Sequence, residues 1–185
     1  MFALDQSYGI TEWRFNEMRN VITSIVNDLN IRENNCPVGA RVAVVSYDSD
    51  TSYLIRWSDY HSKKQLLQLL SQMKYKSPTA AQDIGNAMRF VARNVFKRTS
   101  AGANVRRVGV FFSNGQAPSR SSIITAIMEL SALDISPTVF AFNGKDFLDE
   151  AFGVRTSLGN FFIFKIVVLP ARGEWWGVGG DMWLS

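Results

Sequence analysis

The sequence predicts an α/β fold: a doubly wound, mainly parallel sheet with one antiparallel edge strand and helices on both faces. Three observations carry that prediction. Short β-branched or aromatic runs alternate with stretches of helical periodicity. Only one pair of such runs, on either side of Asp48-Ser49-Asp50, is joined too tightly for a crossover, so that pair is antiparallel. Strands alternating with helices cover a parallel sheet on both sides, which places any ligand crevice at the carboxyl ends of the strands.

Taken in order, a short first strand ends at Asp5. Phe15, Met18, Ile22, Ile25 and Leu29 recur at spacings of three and four, so a helix runs from Thr11, a suitable N-cap, to about Leu29. Arg41–Asp48 and Thr51–Trp57 are the two hairpin strands. Ser62–Met73 is helical with Leu66, Leu67, Leu70 and Met73 on one side, and a further helix spans about Ala80 to Phe96. Asn104–Gly115 is a strand stopped by a glycine turn. Pro118 and Ser119 start the next helix, with Ile123, Ile127, Leu130 and Leu133 facing inward. Ser136–Gly144 is a strand, Asp146–Gly153 a short helix closed by glycine, and Asn160–Leu169 the last strand.

Composition narrows the chemistry. The chain has 185 residues, 46% of them hydrophobic, which suits one domain with one core. No apolar run reaches the roughly 18 residues of a membrane helix. No secretory leader precedes Phe2, so a secreted protein would carry its signal outside this sequence. The net charge is +4, but the basic pairs Lys63-Lys64, Lys97-Arg98 and Arg106-Arg107 are scattered and lack interleaved aromatics, so no nucleic-acid partner is expected. A single cysteine, Cys36, permits no internal disulfide and is either a free thiol or paired between chains. The single histidine, His61, lies in a polar loop and has no nucleophile paired with it in the sequence, which argues against an enzyme.

Three polar loops fall at the carboxyl ends of the strands: "DQSYG", "SPTAAQDIG" and "SNGQAPS". In the first of them a phosphate cradle would want a glycine-rich run with lysine, and that turn has one glycine and an acid. Together with "ARVAVVSYDSDTSY", "AAQDIGNAMRFV", "VGVFFSNGQA" and "ISPTVFAFNG", in that order and spacing, they make the chain resemble a von Willebrand factor A domain, also called an I domain, from Phe2 to Leu169. Within the family the wording is most similar to the tandem amino-terminal A domains of collagen VI, in particular an alpha-3-type chain.

The resemblance implies a site. A complete A domain holds Mg²⁺ or Mn²⁺ with Asp-x-Ser-x-Ser, a threonine from a second loop and an aspartate from a third, and the cation then takes a carboxylate from a partner. Carried over position by position, Asp5 matches the first acid and Ser7 the first serine. Gly9 stands at the second serine, Gln82 at the threonine and Asn114 at the third-loop acid. Thr79 could replace the missing threonine only through a shifted loop. Only one of these positions brings a formal charge, so cation affinity falls with both charge and ligand count. The amides of Gln82 and Asn114, with Ser7, could instead satisfy Asp5 directly.

Two readings remain open here. The favoured one is a non-enzymatic extracellular matrix module, secreted, with a degenerate metal site and no cofactor, that binds matrix proteins or other collagen chains, alongside neighbouring A domains of a longer chain and without entering a membrane. The other is an Mg²⁺- or Mn²⁺-dependent adhesion domain capturing an acidic residue. Residues 1–170 are expected to form the domain, and 171–185, with three tryptophans and four glycines, an atypical tail.

Overall fold

The computed structural model describes residues 1–33, 38–96, 105–115, 119–142 and 166–168, with backbone alone at 120 and 166–168. Cys36, the short helix expected at Asp146–Gly153 and the tail at 171–185 lie outside these residues. The elements are β1 (Phe2–Asp5), α1 (Glu12–Asp28), β2 (Val44–Tyr47), β3 (Thr51–Ile55), α2 (Lys63–Gln72), α3 (Ile84–Phe90), β4 (Arg107–Ser113), α4 (Arg120–Ala132), β5 (Ile135–Ala141) and β6 (Ile166–Val168). They form one six-stranded sheet in the order β3-β2-β1-β4-β5-β6. Every pairing is parallel except β2 with β3, which places the hairpin strand at an edge.

Helix starts follow the side chains that cap them. Thr11 accepts from the Arg14 N–H, Ser62 from Gln65 and Ser119 from Ser122, each satisfying an amide that the first turn leaves unpaired. In α1 the buried stripe is Phe15, Met18, Ile22 and Val26, whereas Ile25 and Leu29 pack from the side. The stripe shifts because 3.6 residues per turn carries the fourth contact to position 26. Leu66 and Leu70 are the buried residues of α2. The expected helix from Ala80 starts later, at Ile84, because Asp83 caps it through the Asn86 N–H. Beyond Phe90 it continues as a π-helical stretch, Val91–Phe96. Strands β2, β3 and β4 are also shorter than expected, since ladder pairing ends before the apolar sequence does.

The core lies on both faces of the sheet. On one, Ala3, Val45, Tyr47 and Phe111 meet Ile84 and Met88 of α3 and Ile123 and Leu130 of α4. On the other, Leu4, Val44 and Phe112 meet Phe15, Met18 and Ile22 of α1 and Leu66 and Leu70 of α2. Gly85 makes the contact of α3 with α4 possible: a Cβ there would stand 2.4 Å from Ser122 Oγ. This two-sided burial holds the ends of β1, β2 and β4 side by side, with their carboxyl ends at one pole.

Candidate functional site

β1 ends at Asp5, whose register partner across the ladder is Tyr47 at the end of β2. Ser113 ends β4 on the other side. Asp5, Ser7, Gln82, Ser113 and Asn114 are all buried. The five positions picked out by sequence, Asp5, Ser7, Gly9, Gln82 and Asn114, converge at this one place. Thr79 does not join them; its hydroxyl donates to Asp48 Oδ2 at 3.2 Å.

Both oxygens of Asp5 are occupied by donors. Oδ1 accepts the Ser7 N–H at 2.8 Å, and Oδ2 accepts Gln82 Nε2 at 2.7 Å and the Asn114 N–H at 2.8 Å. Gln82 Nε2 also lies 2.7 Å from Ser113 Oγ and 3.2 Å from Tyr47 Oη. A carboxylate beside the amide fixes its orientation, because turning the carbonyl toward Asp5 would oppose two acceptors. Gln82 Oε1 consequently points elsewhere, buried and without a partner.

Asn114 acts differently from the sequence expectation. Its backbone, not its side chain, serves Asp5. Its Nδ2 donates to Ser7 Oγ at 3.1 Å and to the Tyr8 carbonyl at 2.9 Å, so the amide lies across the first loop. Gly9 adopts a φ of +91°, in the left-handed region that disfavours a side chain, and a Cβ there would stand 3.8 Å from Asn114 Nδ2. A serine would not readily follow this backbone.

Two participants escaped the sequence reading. Tyr47, fully buried, donates to the Phe112 carbonyl at 2.6 Å. Ser113 Oγ accepts the Gly115 N–H at 3.0 Å besides the Gln82 amide. The available signal was a tyrosine inside an otherwise apolar buried strand, since its hydroxyl must find a partner there. Tyr8 ties the loops together: its N–H donates to the Ala80 carbonyl at 3.0 Å and its hydroxyl to the Thr79 carbonyl at 2.5 Å.

Burial dominates the electrostatics. It raises the Asp5 carboxyl to about 6, opposed by the hydrogen bonds from Ser7 and Asn114 and reinforced by the charge of Asp48. Burial, then the negative charge of Asp5, pushes the Tyr47 phenol well above its usual value. His61 is exposed in its loop, where its N–H donates to Gln65 Oε1 at 2.7 Å. No helix among the described residues is long and apolar enough to cross a membrane.

A family model described as von Willebrand factor type A domain matches residues 1–156. Among curated proteins, the chain is 72% identical over 95% of its length to the mouse collagen alpha-5(VI) chain and 70% identical over 94% to the human one. It is 46% identical over 94% of its length to the mouse collagen alpha-6(VI) chain. These relatives correct the expected alpha-3-type likeness to alpha-5(VI) and alpha-6(VI). The chain spans only 6% of the alpha-5(VI) chains and 8% of the alpha-6(VI) chain. Among solved structures, manganese-loaded TRAP protein of Plasmodium vivax superposes with a TM-score of 0.68 at 15% identity, covering 90% of this chain and 67% of that one. Proximal thread matrix protein 1 of the mussel byssus, with a zinc-occupied MIDAS motif, gives 0.70 at 14% identity, covering 81% and 40%. At such identities the likeness is one of fold.

Proposed function

The chain belongs to the von Willebrand factor type A domain family, and on that premise we propose that it is a non-enzymatic protein-interaction module of a collagen VI-like matrix chain that works without a cation. Its setting is the extracellular matrix, and its partners are other matrix proteins or collagen chains. The observation that carries the cation-free part is the donor set around Asp5. A small divalent cation wants about six oxygen ligands, with charge among them. Here one carboxylate is present, and N–H groups of Ser7, Gln82 and Asn114 already occupy it. Gly9 supplies no hydroxyl, and the unpartnered Gln82 Oε1 is a single neutral oxygen. These residues do not fit the cation that the family implies. Amide and backbone donors take over the work of holding the three loops together.

Thermal unfolding tests this. A cation site filled a hundredfold above its Kd would add about 2.7 kcal/mol, roughly 5–10 °C in a domain of this size. The expected result is the same midpoint in EDTA, Mg²⁺ and Mn²⁺, with binding to purified collagen VI equally indifferent to chelator. A rise with Mn²⁺ that disappears in Asp5→Ala overturns the reading and restores metal-dependent adhesion.

A further inference from the structure

We infer that residues 169–185 turn back from the end of β6 and fill a groove between α1 and the sheet, with Trp175 and Trp176 on its apolar wall and Glu174 on Arg14. This packing lies beyond the site and holds whether or not a cation binds there.

The groove lies on one face of β4 and β5. β5 is an inner strand, between β4 and β6, and an inner parallel strand is covered on both sides. Its side chains on the α4 face, Ile135, Pro137, Val139 and Ala141, are all buried. On the α1 face Ser136 is exposed, and Thr138 and Phe140 are half-buried. β4 has the same asymmetry: on the α1 face Val110 is half-buried and Val108 is 43% exposed. α1 walls the groove. Its Arg19 reaches the Met73 carbonyl at 3.1 Å, so that flank meets the end of α2. Arg14 lies over the Phe142 ring at 4.9 Å, so the other flank borders β5. At about 3.6 residues per turn Val21 and Ile25 share the Arg14 flank, and both are half-buried.

Chain topology leaves one segment of this sequence for the groove. α4 joins β4 to β5 and lies on the face of Phe111 and Val139. The step from β5 to β6 runs the same way across the sheet, and parallel crossovers are right-handed, so the connection 143–165 belongs on the α4 face as well. α1 makes the opposite step, from β1 to β2, and lies on the opposite face, as the same rule requires. The remaining segment is the one after β6, where Pro170 has no N–H with which to extend the ladder. β6 is parallel to β5, so its chain leaves at the carboxyl pole, beside Phe142 and Arg14. The groove is roughly as long as a seven-residue strand, about 23 Å, and residues 169–185 reach roughly 50 Å when extended.

The order of side chains along the segment matches the order along the groove. At the mouth, Arg14 Nη1 is buried and has no hydrogen-bond partner among the described residues. A buried guanidinium N–H is costly until an acceptor meets it. Glu174 supplies a carboxylate there, as the chain enters from β6. Trp175 and Trp176 follow directly and fall deeper, where Val110 and Phe140 form the floor and Val21 and Ile25 the wall. Each indole has about 200 Å² to bury, and left in water the adjacent pair would make an apolar patch. The segment thus carries its acid where the groove has an unmatched base, and its aromatics where the groove is apolar.

NMR of the full chain, with labelled methyl groups, tests this. Indole protons of Trp175 and Trp176 are expected to show NOEs to the methyls of Val110 and Ile25. Trp175→Ala with Trp176→Ala should displace those methyl signals and raise binding of the apolar dye ANS severalfold. Should that variant fail to fold, Trp175→Phe with Trp176→Phe keeps the groove filled and displaces the same signals through loss of the indole rings. Glu174→Arg is expected to displace them too, and Arg14→Glu added to it to restore them. Missing NOEs in the wild type overturn the inference, as do methyl signals that ignore both tryptophan variants. NOEs that arise only between labelled and unlabelled molecules in a mixed sample give the groove to a second copy and overturn it equally. A Glu174→Arg chain with wild-type methyl signals overturns the contact with Arg14.

Discussion

At Asp5 the chain buries a carboxylate and answers it with amides. Gln82 is the costly member to lose, since Asp5 Oδ2, Ser113 Oγ and Tyr47 Oη all face its Nε2. Gln82→Ala should destabilise the fold by about 1–3 kcal/mol in urea titration, the cost of stranding buried polar groups. The same burial gives a pH signature. The Asp5 carboxyl sits at about 6 folded against 3.8 for an unperturbed group, so the folded chain holds that proton more tightly. Its contribution to stability is present at and below about pH 4 and is lost as pH rises through 6, to a limit of about 3 kcal/mol. Asp5→Asn should flatten that part of the stability profile between pH 4 and 7; equal slopes in both proteins would refute it. The meeting of Asp5, Ser7, Gly9, Gln82 and Asn114 could be anticipated from sequence, because it follows from strand order and loop position. That Asn114 serves Asp5 through its backbone and lays its amide on Tyr8 could not, since residue type is silent on which donor is nearer.

Among the elements, the tightest fit is α3 against α4. A Cβ at Gly85 would meet Ser122 Oγ at 2.4 Å and the Ser122 carbonyl carbon at 3.1 Å, the latter being backbone that cannot rotate away. Gly85→Ala should therefore cost about 1–3 kcal/mol, and Ser122→Ala in the same chain should recover only part of it. Caps are cheaper: Thr11→Ala and Ser62→Ala should each lose about 1 kcal/mol by chemical denaturation. Helix positions were readable because periodicity and capping residues are local. Their ends were less so. The apolar spacing of Val91, Val95 and Phe96 is served equally by α- and π-helical turns, and Arg41 to Ala43 look like strand yet lie before the ladder begins at Val44. Ladder ends depend on the neighbouring strand, which no local pattern records.

For the whole molecule, β1 is the hub, flanked by β2 and β4 and buried on both faces. The slowest hydrogen exchange should come from amides of β1, β2 and β4, and the fastest strand amides from the edge strands β3 and β6. Tyr47 adds to this centre in a way the ladder alone would not. Its ring starts on β2 and its hydroxyl ends on the β4 carbonyl of Phe112, so the side chain passes over the strand lying between them. This phenol is a crossbar: pulling β1 lengthwise out of the sheet means parting its two rows of hydrogen bonds while the strands on either side stay strapped together. Tyr47→Phe should leave the fold intact but lower the force at which a single stretched molecule yields.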